Sequence, residues 1–306
     1  MRIIFVAALS GCVSLSLASF DLILVSDLSK NCIHRYDGDS GAYLGSFGQN
    51  FLNSPRGLAL DQANQRVIVE SLSGISTFNY NTGQHISTNP VFSNARDIAF
   101  LGTNYYRSFS AMSSSAMGRV VNYQTSTFQT LYNAGSIGTW TGVTASSGTL
   151  KPYSLDLNTG RVGRWNVSVT GGLEAVTANT VIRSGLGANG TYVIGLGDDG
   201  AMVSVNASTM AVTTGLAPSG AAWTDGIDAA FGHGTTAWAL GTAAGETILQ
   251  SYAQNPSTLL FQGLNRFSAS QVTSPQSMVV VVAPEPMSMS ALALGTLALL
   301  KRRKKS

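Results

Sequence analysis

"LILVSDLSKNCIHRYDGDSGAYLGSFGQNFLNSPRGLALD", residues 22–61, alternates short apolar runs with clusters of turn-forming residues. Three short runs rich in Leu, Ile, Val, Tyr and Phe are separated by a Ser-Lys-Asn turn and an Asp-Gly-Asp-Ser-Gly turn. Ser-Pro-Arg-Gly then restarts the pattern. Short β-branched and aromatic runs bounded by Gly, Asp, Asn and Ser read as consecutive antiparallel strands.

The same grammar recurs along the chain. From Ser54, "SPRGLALDQANQRVIVESLSGISTFNYNTGQHIS" gives a short apolar strand, a turn, a β-branched strand, a third strand ending in an Asn-Thr-Gly hairpin, and a fourth. Related units begin near Asn94, Thr141, Asn189 and Asp225. Their spacing of roughly 35 to 50 residues is that of propeller blades, and no amphipathic helix interrupts them. The two ends complement each other. The opening stretch supplies three strands without a first, and "SPQSMVVVV", residues 274–282, supplies a first strand that begins Ser-Pro like residues 54–55. Pairing 278–282 with 22–26 closes a ring and removes its exposed edges. The expected fold class is all-β, a β-propeller of six four-stranded blades over residues 20–282. The glycine-rich region 181–200 leaves seven open.

Residues 22–80 resemble NHL-type and related six-bladed propellers. The resemblance is carried by Arg35-Tyr36-Asp37, the Gly38 to Gly41 hairpin, and Pro55-Arg56-Gly57-Leu58. It implies the ring fold and fades beyond residue 80.

Charged residues make up 11% of the 306-residue chain, against about 25% in ordinary soluble domains. Between residues 19 and 284 there are 12 Lys and Arg against 14 Asp and Glu, so the net +3 comes from the ends. That argues against a nucleic-acid surface. Residues 1–18 read as a signal peptide: a basic start, an apolar run, and small residues at Ser16 and Ala18. "LSGC", Leu9 to Cys12, competes as a lipoprotein signal. With the leader removed, Cys32 is the one remaining cysteine, so an internal disulfide is excluded and a buried thiol expected.

The tail holds the strongest single signal. Pro284-Glu285-Pro286 precedes an uncharged apolar run over 287–300, and Lys301, Arg302, Arg303, Lys304 and Lys305 follow. The run is shorter than the ~20 residues of an ordinary span, and the basic cluster reads as a stop-transfer brake on the cytoplasmic side. These three parts, over 284–305, resemble the PEP-CTERM sorting signal of Gram-negative bacteria. The resemblance implies a short transmembrane sorting helix, an exosortase as processing partner, and exopolysaccharide-producing or biofilm-forming cells. A plain C-terminal anchor is the alternative.

Catalytic motifs are scarce. "GLGANG" (185–190) and "GLGDDG" (195–200) match a dinucleotide fingerprint, yet both sit between β-type runs and read as turns. His34, His85 and His233 match no metal-ligand spacing. "DGDSG", residues 37–41, could contact calcium but lacks the later ligands and reads as a hairpin turn. Gly-x-Ser-x-Gly is absent from the sequence. No catalytic, cofactor or metal residues are expected. The resulting expectation is an exported, surface- or matrix-destined binding or structural protein whose partners are exopolysaccharide or envelope proteins and, transiently, the inner membrane. The alternative is an extracellular metal-dependent lactonase-like hydrolase or carbohydrate lyase, to be recognised by carboxylates or His converging on the ring's central channel.

Overall fold

A computed structural model describes residues 21–90, 95–101, 104–109, 116–122, 128–132, 140–156, 158–166, 172–178, 182–197, 199–215, 222–255, 258 and 260–282. Residues 1–18, read above as a leader, and residues 284–305, read as a sorting signal, lie outside the described residues. Among the described residues, twenty-four strands pair into six four-stranded sheets. Sheet I contains β1 (Leu22–Asp27), β2 (Cys32–Asp37) and β3 (Tyr43–Phe47). Sheet II is β4 (Leu58–Asp61), β5 (Arg66–Ser71), β6 (Gly74–Asn79) and β7 (His85–Asn89). Sheet III is β8 (Ala95–Leu101), β9 (Asn104–Phe109), β10 (Ala116–Asn122) and β11 (Phe128–Tyr132). Sheet IV is β12 (Trp140–Ser146), β13 (Lys151–Asp156), β14 (Arg161–Asn166) and β15 (Gly172–Val176). Sheet V is β16 (Ile182–Ala188), β17 (Tyr192–Gly197), β18 (Met202–Asn206) and β19 (Val212–Thr214). Sheet VI is β20 (Asp225–Phe231), β21 (Thr236–Ala243), β22 (Glu246–Gln254) and β23 (Phe261–Ser268). The last strand, β24 (Pro275–Val281), joins sheet I in the order β24-β1-β2-β3. The glycine-rich region is thereby taken up by β16 and β17, the first two strands of sheet V.

The first strands β24, β4, β8, β12, β16 and β20 meet one another in that order and return to β24, so the sheets form a closed ring around a central channel. This is an all-β propeller. The ring is sealed by antiparallel pairing of Leu22 with Val281, Ile23 with Val280, Leu24 with Val279 and Val25 with Met278. That is the pairing which the two incomplete ends of the sequence imply.

The burial gradient explains the sequence pattern. Second strands such as β1 and β5 are covered on both faces by neighbouring sheets, so they read as continuous apolar runs rather than alternations. Outer strands β7 and β19 are largely exposed and carry Ser, Thr and Asn. Five buried apolar clusters lie between successive sheets among the described residues. The one between sheets VI and I gathers Ile23, Tyr36, Trp238, Leu240, Met278 and Val280.

Hairpins use one repeated device. The side chains of Asp37, Asn79 and Asn206 accept backbone N–H bonds from the residues two and three further on, at 2.8–3.1 Å. The chain then turns through a left-handed residue, Gly41 (φ 70°), Gly83 (φ 73°) or Met210 (φ 61°). Its N–H returns to the carbonyl of the Asp or Asn at 2.8 Å. Asx chemistry of this kind fixes the turn and hence the register. "DGDSG" is therefore a hairpin turn, as its sequence suggests.

Met278 is 2% exposed and packs where the ring closes. Met278→Ala in the propeller body should lower unfolding free energy by about 2–5 kcal/mol. Val212→Ala, on an outer strand, should change it by less than about 0.5 kcal/mol. Urea titration followed by tryptophan fluorescence measures both.

Candidate functional site: the central channel

The first strands of all six sheets line a cavity of about 180 Å³. Most of the residues that line it are apolar, among them Leu58, Ile98, Phe100, Leu186, Phe231 and Val280, yet polar atoms make up at least half of the surface they present to it. Its acidic side chains are Asp97 and Asp228, with Thr144 and Ser277 adding hydroxyls.

Six positions correspond around the ring: Gly57, Asp97, Gly142, Gly185, Asp228 and Ser277. Each precedes an apolar residue of its first strand, and the neighbouring pairing is irregular near all but Gly57, as between Ala95 and Asp97 or Gly226 and Asp228. The glycines let neighbouring strands approach. A Cβ on Gly57 would stand 2.6 Å from Asp97 Cα, and one on Gly185 would collide with Asp228 Cα.

Asp228 is the centre of this level of the channel. Its Oδ1 accepts from its own neighbour's backbone, Ala229 N, at 2.8 Å. Its Oδ2 accepts from Ser277 Oγ at 2.8 Å and from Met278 N at 2.7 Å. Leu186 N also donates to it. One carboxylate therefore binds sheets V, VI and I together. Ser277 passes the link on, because its Oγ accepts from Leu58 N of sheet II at 3.2 Å. Asp97 accepts from Ile98 N at 2.8 Å, the counterpart of the Ala229 bond. Burial is the largest influence on Asp228 and raises its pKa to about 6 against the opposing hydrogen bonds.

A second buried polar cluster lies where β1, β2 and the chain before β24 meet. His34 Nε2 stands 3.4 Å from both Cys32 Sγ and Asp27 Oδ2, while Nδ1 faces Tyr43 Oη at 3.3 Å. The residue types are those of a nucleophile–base–acid relay, but the geometry is not. A relay gives the nucleophile one ring nitrogen and the acid the other. Here one nitrogen faces both. Cys32, His34 and Asp27 are each at most 2% exposed. Burial, reinforced by the Asp27 charge, pushes the Cys32 thiol up to about 11, and burial pulls His34 down. Asp27 is instead a fastener. Burial pulls it upward, but bonds from Thr273, Ser29 and Lys30 outweigh that and hold it at about 2.

The other histidines stand apart. His85 stacks on Phe51 at 3.9 Å, and the backbone of His233 donates to Asp21. Among the described residues no group of three His, Cys, Asp or Glu side chains is arranged to hold a metal ion, and no helix is long and apolar enough to cross a membrane. The two dinucleotide-like stretches form strands and turns with no helix after them. Pro284, Glu285, Pro286, Lys301, Arg302, Arg303, Lys304 and Lys305 all fall outside the described residues. Sequence reading passed over Asp97 and Asp228, although "RDIAF" and "IDAAF" repeat an Asp before an apolar run at equivalent points of two units.

The ring is of the β-propeller class, and comparison with known proteins agrees. No family model matches the chain, and no curated protein matches it. Solved structures do. A chain in a nidogen–laminin complex superposes with a TM-score of 0.62 at 13% identity, over 86% of this chain and 98% of that one. A Bacteroides caccae protein of unknown function gives 0.61 at 10% identity, over 86% and 99%. U3-55K gives 0.57 at 14% identity, over 84% and 81%. At these identities the likeness shows the fold alone.

The acids set a pH profile. Asp228 has a folded pKa of about 6, above the unfolded value of about 3.9, so the native state binds the extra proton between those values. The contribution of Asp228 to stability should therefore rise as pH falls from 7 towards 4, and Asp228→Asn should remove it. Asp27, folded at about 2, gives the opposite slope below about pH 4, where its contribution is lost. Buried His34, pulled down, works against Asp228 below about pH 6.5. The measurement is therefore the difference in thermal unfolding between the parent protein and Asp228→Asn across pH 4–8, which should shift in favour of the parent as pH falls.

Proposed function

We propose that this chain is an exported six-bladed propeller that acts as a binding or structural component of the cell envelope or matrix, delivered through its C-terminal sorting signal. The observation that carries the non-catalytic part of this reading is the hydrogen bonding of Asp228. A carboxylate that already accepts from Ala229, Leu186, Met278 and Ser277 is committed to holding three sheets together. The mixed Asp27–His34–Cys32 cluster is buried and similarly engaged. Recognition on a propeller then falls to the turns and loops on its two faces.

Delivery rests on the sequence outside the described residues. The reading assigns residues 1–18 to a signal peptide and 284–305 to a PEP-CTERM signal. An exosortase-type enzyme would process the signal in a Gram-negative cell, with exopolysaccharide or envelope proteins as the eventual surroundings. The two prolines cannot extend the ladder of β24, so they separate the sealed ring from the apolar run.

The test is fractionation with mass determination of the C-terminus. Wild-type protein should end upstream of residue 287. Glu285→Ala should fold and be exported but keep its tail, as should wild type in an exosortase-deficient strain. Mature wild-type protein that still ends in KRRKKS would replace the sorting signal with a plain anchor.

A further inference from the structure

Both ends of the described chain leave the propeller on one face. β24 ends where β1 begins, with Val281 opposite Leu22. Around them lie the turns after first and third strands. Gln62 Nε2 donates to Val282 O at 2.6 Å, Gly38 N donates to Asp21 O at 2.7 Å, and the backbone of His233 donates to Asp21 Oδ1 at 3.0 Å. The opposite face carries the turns after second strands and the loops between sheets, where Leu28 N meets Ser274 O and Lys30 Nζ meets Gln271 O.

We infer that, while its tail is attached, the propeller sits with this terminal face against the membrane and its opposite face outward. The inference rests on the reading of residues 287–300 as a membrane segment; its occupant is the lipid surface in which that segment is embedded.

Leash length decides the orientation. Five residue steps separate Val282 from Met287, which span at most about 18 Å fully extended. A proline-rich leash at about 3.1 Å per residue reaches roughly 16 Å. The leash starts on a first strand, beside the axis. Three strand spacings of about 4.8 Å put the outer strand roughly 14 Å further out, before its side chains are added. An edge-on propeller would need the whole leash laid flat along its face. With the opposite face down, the chain would also have to pass around the rim and cross the sheet thickness, about 20 Å for six residues at 3.3 Å each. That sum is roughly twice the leash. Only the terminal face can approach the bilayer with slack to spare.

The chemistry of that face is compatible. Among the described residues its turns are made of Gly, Ser, Thr, Asn, Gln and Ala with few exceptions, Asp39 is their one acid, and they contain no Lys or Arg. Basic groups reach the same face from the strands, because Arg35 donates to Asn81 O at 2.8 Å and Arg164 to Ala207 O and Ser208 O at 2.9 and 2.7 Å, so anionic headgroups reinforce the contact that the tail sets.

The experiment uses the exported chain, leader removed and tail intact, in phosphatidylcholine–phosphatidylglycerol vesicles carrying a nitroxide on the headgroup. Ser208→Cys places an exposed fluorophore on the terminal face, and Gln271→Cys places one on the opposite face; Cys32 is buried and stays unlabelled. The label at 208 should be quenched several-fold more than that at 271, and both chains should float with the vesicles. Flotation with equal quenching, or with 271 quenched more, overturns the orientation and leaves the tail reading intact. A chain that fails to float overturns both.

Discussion

The Asp228 carboxylate is the interaction on which the closed ring most depends. Buried without partners, a carboxylate would be expelled or neutralised. Here four donors from three sheets converge on it, three of them backbone N–H groups that first strands cannot pair with one another. First strands of neighbouring sheets run side by side without a ladder, so their inward amides need partners from somewhere. Ser277 serves Leu58 in the same way. The acids and hydroxyls of the channel thus complete the backbone hydrogen bonding of the fold. The raised pKa of Asp228 records the burial that this arrangement imposes.

Closure has the character of a final step. Strand β24 pairs with β1 across some 250 residues of chain, and the supporting bonds span the same separation: Ser277 N to Ser26 Oγ at 3.0 Å, and Thr273 N to Asp27 Oδ2 at 2.7 Å. Contacts of such sequence separation form late and slowly, because the loop-closure entropy is met before the contact exists. Until they form, β1 and β20 each present an uncovered side to solvent. The clustering of fasteners at this one seam, Asp21, Asp27, Ser26, Asp228 and Ser277, matches the place where the ring would otherwise open.

Much of the architecture was legible because propeller blades are written in local chemistry. The Asx turns at Asp37, Asn79 and Asn206 sit in the sequence as Asp or Asn followed by Ser or Thr, and the split sheet shows as one Ser-Pro start without an ending and one ending without a start. The channel was not legible. Asp97 and Asp228 are 131 positions apart, and their common role appears only when first strands are superposed by their place in the ring. The counterparts Gly57 and Gly185 differ from them in type, so no simple motif joins the set. His34 misleads in the other direction. Its neighbours Cys32 and Asp27 have catalytic names, yet what decides their role is burial and the sharing of one ring nitrogen, neither of which a one-dimensional spacing records.

Sealing a ring by pairing its first and last segments within one sheet has a consequence that no single contact contains. Adjacent antiparallel strands place the start of one beside the end of the other, so a chain closed in this way sends both termini out from one face, near the axis. Any segment added at either end acts on that face. The seam that holds the fold together therefore also divides the surface into a face that carries both ends of the described chain and an opposite face that carries the loops between sheets.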